Sequence, residues 1–167
     1  GMRLDKFTTK LQEALAEAQS MALGRDQQQI EPQHLLAAML AQDDGGVASL
    51  LQRAGGNPAA LKAALNEAIG RLPKVEGGTP GEVHVSRDLG LLLNVADKEA
   101  QKRGDQFIAS ELFFLALTQD KGDAGRLLKE AGGNAKAIEQ AINAVRGGEN
   151  VNSAESEGQR DRRSTRL

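Results

Sequence analysis

Several residue types are missing from this 167-residue sequence, and each absence narrows its fold and function. There is no cysteine, which excludes disulfides and thiol chemistry and is usual in a reducing compartment. Tryptophan and tyrosine are also absent, so a core must be built mainly from Leu, Ile, Val and Ala. The formal net charge of −2 lacks the excess of Lys and Arg expected of a nucleic-acid-binding protein. No apolar run approaches the roughly 20 residues of a membrane-spanning helix, and the N-terminus lacks a signal-peptide layout, which predicts a soluble cytoplasmic protein.

One 19-residue stretch occurs twice. LLQRAGGNPAALKAALNEA covers residues 50–68 and LLKEAGGNAKAIEQAINAV covers residues 127–145, and nine of the nineteen aligned positions are identical. An offset of 78 residues, reduced to 77 by one deletion, also aligns the segments before these stretches. The chain is therefore predicted to be a tandem duplication.

Apolar residues recur at three- and four-residue intervals in four stretches of the first copy, which predicts four amphipathic helices. Asp5 or Thr8 could cap the first helix, and Thr8 aligns with Ser86, a possible helix cap in the second copy. The second begins at Pro32, a residue suited to the first helical turn, and the fourth runs from Pro58 to about Leu72. The sequence thus predicts an all-α fold of two four-helix repeats related by a pseudo-twofold axis.

The predicted folded domain covers residues 2–147. Repeat one spans about 3–75, a Gly- and Pro-rich linker spans 76–84, and repeat two spans about 85–147. Residues 148–167 are polar, lack an apolar face, and are expected to form a flexible tail or the start of an interdomain linker.

The two Ala-Gly-Gly-Asn segments resemble phosphate-binding loops only superficially. Neither is followed by Gly-Lys-Ser/Thr, and no GxxxxGK[ST] motif occurs in the chain. Instead Gly55 and Gly132 are suited to the left-handed conformation that ends a helix, and Asn57 and Asn134 are suited to cap the next one. We interpret both segments as helix-to-helix corners.

No catalytic, metal or cofactor site is expected from the sequence. His34 and His84 lie far apart without companion ligands at metal-binding spacing, and no serine or aspartate has a recognisable activating base.

Positions that differ between the repeats are more informative, because equivalent positions should share a packing role. Repeat two carries apolar residues where repeat one carries polar ones on two adjacent helices. The replacements are Glu13 by Leu91, Glu17 by Val95, His34 by Leu112 and Gln29 by Phe107. Two interpretations remain open: Leu91, Val95 and Leu112 bury against the other repeat, or they form an exposed apolar groove for a partner.

Five stretches resemble the amino-terminal domain of the ClpB protein disaggregases, a branch of the Clp AAA+ chaperones. They are MRLDKFTTKLQEALAEAQSMAL (2–23), QIEPQHLLAAML (29–40), LPKVEG (72–77), KRGDQFIASELFFLAL (102–117) and VRGGENVN (145–152). The resemblance implies an all-α double Clp repeat, linked in the full-length proteins to hexameric ATPase rings that use ATP and magnesium. It also implies a domain that engages unfolded or aggregated polypeptides through an apolar groove.

The resemblance assigns roles to particular residues. Leu91, Val95 and Leu112 fall where the groove is expected. The family's polar positions linked to chaperone activity fall on Thr8, Asp105 and Glu111. These three also have structural interpretations, as a helix-start hydroxyl, a loop acid and a carboxylate in a first helical turn.

The chain has no ATP-binding loop, so it is not expected to hydrolyse ATP, and the isolated domain is expected to be a monomer. An alternative is an adaptor-docking domain of a Clp protease unfoldase of the ClpA or ClpC type. An independent enzyme ranks third because no nucleophile, metal set or cofactor loop is recognisable.

Overall fold

The computed structural model describes residues 4–44, 46–75 and 82–157, and over these ranges the fold is all-α, as predicted. Repeat one contains α1 (Thr9–Gly24), α2 (Pro32–Leu40), α3 (Gly46–Arg53) and α4 (Pro58–Gly70). Repeat two contains α5 (Arg87–Arg103), α6 (Ser110–Leu117), α7 (Asp123–Glu130) and α8 (Ala135–Arg146). Periodicity did not predict the short strands β1 (Gln29–Ile30) and β2 (His84–Val85) or the 3-10 turn Leu4–Lys6.

Equivalent helices begin with the same kind of cap. The hydroxyl of Thr8 accepts a hydrogen bond from Leu11 N at 3.2 Å, and the hydroxyl of Ser86 accepts one from Leu89 N at 3.1 Å. The amide oxygens of Asn57 and Asn134 cap α4 and α8 in the same way. Each cap satisfies an N–H that the first helical turn leaves without an intrahelical partner.

The two Gly-Gly-Asn corners pack against each other. Gly55 and Gly132 have φ angles of +90° and +92°, the left-handed conformation predicted for the residue that ends a helix. A Cβ added to Gly132 would lie 2.9 Å from the Cα of Gly56, which no real side chain tolerates. Asn57 N donates to the carbonyl of Ala131 at 2.8 Å. Glycine at the corners therefore also permits close contact between the repeats.

Short backbone pairings cross between the repeats at two equivalent places. Residue Phe7, before α1, pairs with Ile108, before α6, in a parallel bridge. In the same way β2, before α5, pairs in parallel with β1, before α2. Adding the 78-residue offset to Phe7 gives Val85, and subtracting it from Ile108 gives Ile30. The two pairings are thus related by the pseudo-twofold axis, and each repeat completes the other.

The second helix of each repeat lies at the centre of a shared core. Eight of the nine residues of α2 and seven of the eight residues of α6 are buried. The other helices contribute one apolar face each, and the buried residues of both repeats form one cluster. α2 and α6 are therefore the structural centres of the two repeats, and only Ala37 and Leu115 in them are partly exposed.

The prediction of a flexible tail is wrong for residues 148–157, which we name the strap. Val151 is 2% exposed, and its carbonyl accepts hydrogen bonds from Gln106 N and Phe107 N. The carbonyl of Ala154 accepts from Thr9 N at 2.9 Å. The strap lacks a periodic apolar face because its backbone, rather than a row of side chains, attaches it to the domain. Residues 158–167 lie outside the described residues.

The predicted linker 76–84 falls mainly on residues 76–81, which also lie outside the described ranges; its last residue, His84, belongs to β2. No helix among the described residues is long and apolar enough to cross a membrane.

Candidate functional site

An open groove of about 420 Å³ lies between α5, α6 and α8 of repeat two. Val95 lies on its α5 side, and Leu112, Leu115 and Ala116 form its apolar base. The remaining lining residues are polar or small: Glu99, Lys102, Thr118, Gln119, Ala135, Lys136 and Glu139. An apolar base with polar margins is typical of a surface that binds a peptide or protein partner.

The two predicted apolar residues of α5 are exposed to solvent. Leu91 is 49% exposed and Val95 is 48% exposed, and their four-residue spacing places them on one side of the helix. Their counterparts on α1, Glu13 and Glu17, are also exposed. Because packing leaves room for carboxylates at the equivalent places, the core does not require apolar residues there. Leu91 and Val95 are therefore not buried between the repeats.

Leu112 does not share this exposure. Its side chain is 0% exposed, so the expectation that it forms part of an exposed apolar surface is wrong. The reason is its place on α6, where seven of the eight residues are buried. Its counterpart His34 on α2 is buried just as fully. Leu112 thus borders the groove and helps to shape its base, but it contributes no exposed apolar surface.

The charges along the groove are unevenly paired. Arg103 Nε lies 2.9 Å from Glu99 Oε1, and Arg103 Nη2 lies 3.4 Å from Glu139 Oε1, so one arginine pairs with both acidic lining residues. Lys102 and Lys136 line the same groove and are exposed. Across the described part of the chain, neither lysine has a carboxylate within ion-pair distance.

Two of the three predicted polar residues meet in a buried ionic cluster of Asp105, Glu111 and Arg146. Arg146 Nε lies 2.9 Å from Glu111 Oε2, and Arg146 Nη1 lies 2.9 and 3.1 Å from the two carboxylate oxygens of Asp105. All three side chains are at most 5% exposed. Arg146 Nη2 is buried without a hydrogen-bond partner among the described residues.

The third predicted polar residue, Thr8, lies beside this cluster and contacts the strap. Its hydroxyl donates to Glu157 Oε1 at 2.5 Å, and Ser110 N donates to the same oxygen at 2.7 Å. Burial raises the pKa of the Glu157 carboxyl, and the negative charge of nearby Glu111 raises it further. The hydrogen bonds from Thr8 and Ser110 act in the opposite direction. Thr8, Asp105 and Glu111 thus form one buried polar region that receives the strap.

The sequence interpretation missed Arg146 and Glu157. Arg146 aligns with Ile69 at the 77-residue offset, so a charged residue occupying an apolar position was a detectable signal. No comparable signal marked Glu157, because it lies in the polar segment assigned to a tail.

The equivalent place in repeat one holds a neutral hydrogen-bonded group. Glu31 N donates to His34 Nδ1 at 2.9 Å, so His34 Nε2 carries the ring proton and donates to Gln27 Oε1 at 2.7 Å. Gln27 Nε2 in turn donates to the carbonyl of Ile69 at 2.7 Å. Burial lowers the pKa of His34 to about 4, and the positive charge of Arg25 contributes in the same direction. His34 is therefore a neutral structural residue.

Over residues 4–44, 46–75 and 82–157, no three His, Asp or Glu side chains are gathered so that they could hold a metal ion.

Comparisons with known proteins agree with this geometry. Residues 6–158 match the family described as the Clp repeat (R) N-terminal domain. The chain is 47% identical over 156 residues to chaperone protein ClpB of Vibrio cholerae and 46% identical over 159 residues to that of Pseudomonas putida. These matches cover 93% and 95% of the chain but only 18% of each relative. The crystal structure of the Hsp104 N-terminal domain from Candida albicans is similar with a TM-score of 0.78 at 25% identity, covering 90% of this chain and 97% of that one.

Proposed function

Because the chain belongs to the Clp repeat N-terminal domain family and is similar to the amino-terminal part of ClpB, we propose that it binds unfolded or aggregated polypeptides for a disaggregating chaperone. The binding surface is the groove between α5, α6 and α8, together with Leu91 and Val95. In the longer relatives, ATPase rings located elsewhere would use ATP and magnesium to act on the bound polypeptide. The present sequence contains no P-loop for that step.

The exposure of Leu91 and Val95 carries this proposal. Fully burying an apolar side chain of this size contributes roughly 1.5–3 kcal/mol, and about half of each is still available to a partner. Two such residues beside an apolar base would give weak binding with little sequence selectivity. Such binding suits a module that must accept many different unfolded chains.

We assign the polar residues Thr8, Asp105 and Glu111 a supporting role. Their side chains are buried, so they are not available to a polypeptide docked on the surface. They instead fix the strap and the start of α6, which forms the base of the groove. A substitution at these positions would disturb substrate handling through the position of these segments.

An NMR titration of the ¹⁵N-labelled protein with casein, a disordered protein that contains apolar segments, tests the proposal. We expect amide shifts along α5, α6 and α8, and loss of binding in Leu91→Glu/Val95→Glu with helicity unchanged. The matched control is Leu23→Glu/Val75→Glu, which removes two similarly exposed apolar side chains outside the groove and should bind casein normally.

The same titration distinguishes the alternative function. Shifts confined to repeat one, or unchanged binding by the α5 variant, would contradict the proposed groove. Indifference to casein combined with one-to-one binding of a folded adaptor would instead favour an adaptor-docking domain.

A further inference from the structure

The pairing of charges around the groove indicates which polypeptide segments it should prefer. Glu99 and Glu139 share Arg103, which also donates to Asn143 Oδ1 at 3.0 Å. Both acidic lining residues are thus partly neutralised, whereas Lys102 on α5 and Lys136 on α8, which line the same groove, have no carboxylate partner among the described residues. Because Arg103 pairs with both acidic lining residues, the lining charges that lack a partner are those of the two lysines, and they are positive.

The ends of the neighbouring helices reinforce this polarity. The first turn of α8 contains no acidic residue, and the positive end of its helix dipole contributes Ala135 and Lys136 to the groove. The opposite, negative end of α6 also lies nearby. Its carbonyls at Leu115, Ala116 and Leu117 already accept hydrogen bonds from the three residues that follow the helix. The backbone thus adds to the positive charge of the lysines.

The apolar and basic parts of the groove lie at a defined spacing. Val95, Glu99 and Lys102 follow one another along one face of α5. The seven helical steps from Val95 to Lys102 span about 10 Å, which corresponds to about three residues of an extended peptide.

We propose that the groove selects unfolded segments in which an apolar residue lies about three residues from an aspartate or glutamate. The apolar side chain covers Val95 and the base of the groove, and the carboxylate meets Lys102 and Lys136. This inference rests on the proposed function, because it specifies which unfolded segments the same groove accepts.

The test uses three unstructured peptides with identical apolar residues and either Glu, Gln or Lys three positions from the central leucine. NMR titrations at low salt should give the tightest binding for the Glu peptide and the weakest for the Lys peptide. Exposed ion pairs are individually weak, so the Glu peptide should bind about two- to tenfold more tightly than the Gln peptide. Raising the ionic strength should reduce this ratio.

Two double variants test whether Lys102 and Lys136 cause the preference for the Glu peptide. Lys102→Gln/Lys136→Gln should bind the Glu and Gln peptides equally. Lys62→Gln/Lys129→Gln removes the same charge from exposed positions that do not line the groove, and it should keep the preference.

The outcomes separate this inference from the proposed function. Equal binding of the Glu and Gln peptides by the unmodified protein would overturn the charge preference and leave the apolar groove intact. A preference that survives in Lys102→Gln/Lys136→Gln would overturn the assignment to these lysines. Failure of all three peptides to bind would overturn both proposals.

Discussion

The two repeats fill one equivalent buried site with different chemistry, and we call it the polar site of each repeat. In repeat one the polar site holds Gln27, Gln33 and Ile69, with His34 beside them. In repeat two the equivalent positions hold Asp105, Glu111, Arg146 and Leu112. The polar site of repeat one is a chain of neutral hydrogen bonds, and that of repeat two is the buried ionic cluster. Because repeat one folds without charges at this place, the helical architecture does not require them.

The difference is explained by the strap, which contacts the polar site of repeat two. Val151 N, in the strap, donates to Asp105 Oδ1 at 3.1 Å, and Glu157 lies near Glu111. A buried ion pair usually contributes little net stability compared with apolar residues of similar volume, and the guanidinium of Arg146 is not fully hydrogen-bonded here. We infer that the cluster serves chiefly to specify where the strap attaches.

The largest expected effect comes from breaking the ionic cluster. Arg146→Met leaves two buried carboxylates without a counterion, so the free energy of unfolding should fall by about 3–5 kcal/mol. Chemical denaturation measures this change. Arg126→Met, which breaks exposed ion pairs on α7, is the control and should have little effect.

Replacing charged residues of repeat two by their neutral counterparts from repeat one tests the same comparison further. Asp105→Gln/Glu111→Gln/Arg146→Ile installs the repeat-one residues in repeat two, and it should be clearly more stable than Arg146→Met alone. If both proteins are equally unstable, the cluster is required for folding and our interpretation of the difference is wrong.

The stability contributed by the neutral polar site of repeat one should depend on pH through His34. Its pKa is about 4 in the folded protein against 6.5 in the unfolded chain, so its full stabilisation is present above pH 6.5. As the pH falls from 6.5 towards 4, the unfolded chain binds a proton that the folded protein excludes, and stability falls by at most about 3 kcal/mol.

Denaturation curves across this range, compared with those of His34→Gln, isolate the contribution. Gln retains a hydrogen-bond acceptor for Glu31 N but does not titrate. Parallel stability curves for the two proteins would show that His34 is not the titrating group.

The attachment of the strap should depend on Glu157. Glu157→Ala leaves the buried Ser110 N–H without its acceptor and the Thr8 hydroxyl without this partner, so local protection of the strap should fall by about 1–3 kcal/mol. Hydrogen exchange at Thr9, Gln106 and Phe107, whose amides bond to the strap, reports this loss. Glu155→Ala removes a hydrogen bond to Thr9 in an exposed place and should change exchange less.

The raised pKa of Glu157 adds a pH dependence with a defined sign. The folded state favours the protonated carboxyl, so the strap should be best protected at acid pH and less so as the pH rises through that raised pKa. In the Glu157→Gln variant, which does not titrate, the strap should stay attached at all pH values. A strap that exchanges identically in Glu157→Ala and the unmodified protein would contradict this role.

The smallest effect on stability is expected at the groove. Exchanging the α5 residues for their repeat-one counterparts, in Leu91→Glu/Val95→Glu, should change the free energy of unfolding by less than about 0.5 kcal/mol per residue, because both sites are exposed. Thermal denaturation provides the measurement. A loss of several kcal/mol would mean that these residues pack within the fold.

The sequence was sufficient for the architecture because the duplication tested each local pattern twice. The caps at Thr8 and Ser86 and the left-handed Gly55 and Gly132 each had an aligned counterpart, so local propensity and the repeat agreed. The backbone crossings at Phe7 and at β2 could not be predicted in this way. They depend on pairing between distant segments only one or two residues long, which leave no periodic signal.

The groove could be predicted only in part. Comparison of the repeats singled out Leu91, Val95 and Leu112 but left open whether they are buried or exposed. The structure exposes Leu91 and Val95 and buries Leu112, whose burial depends on the neighbours of α6. It also could not show that Thr8, Asp105 and Glu111 converge, since Arg146 and Glu157 join them from segments far along the chain.

The hydrogen bond between Thr8 and Glu157 joins the first helix to the last described residue of the strap. The backbone of Ser110, at the start of α6, donates to the same carboxyl group. One buried side chain therefore connects three segments that are distant in sequence: the start of repeat one, the start of α6 and the end of the strap. Glu157→Ala should loosen all three junctions at the same time.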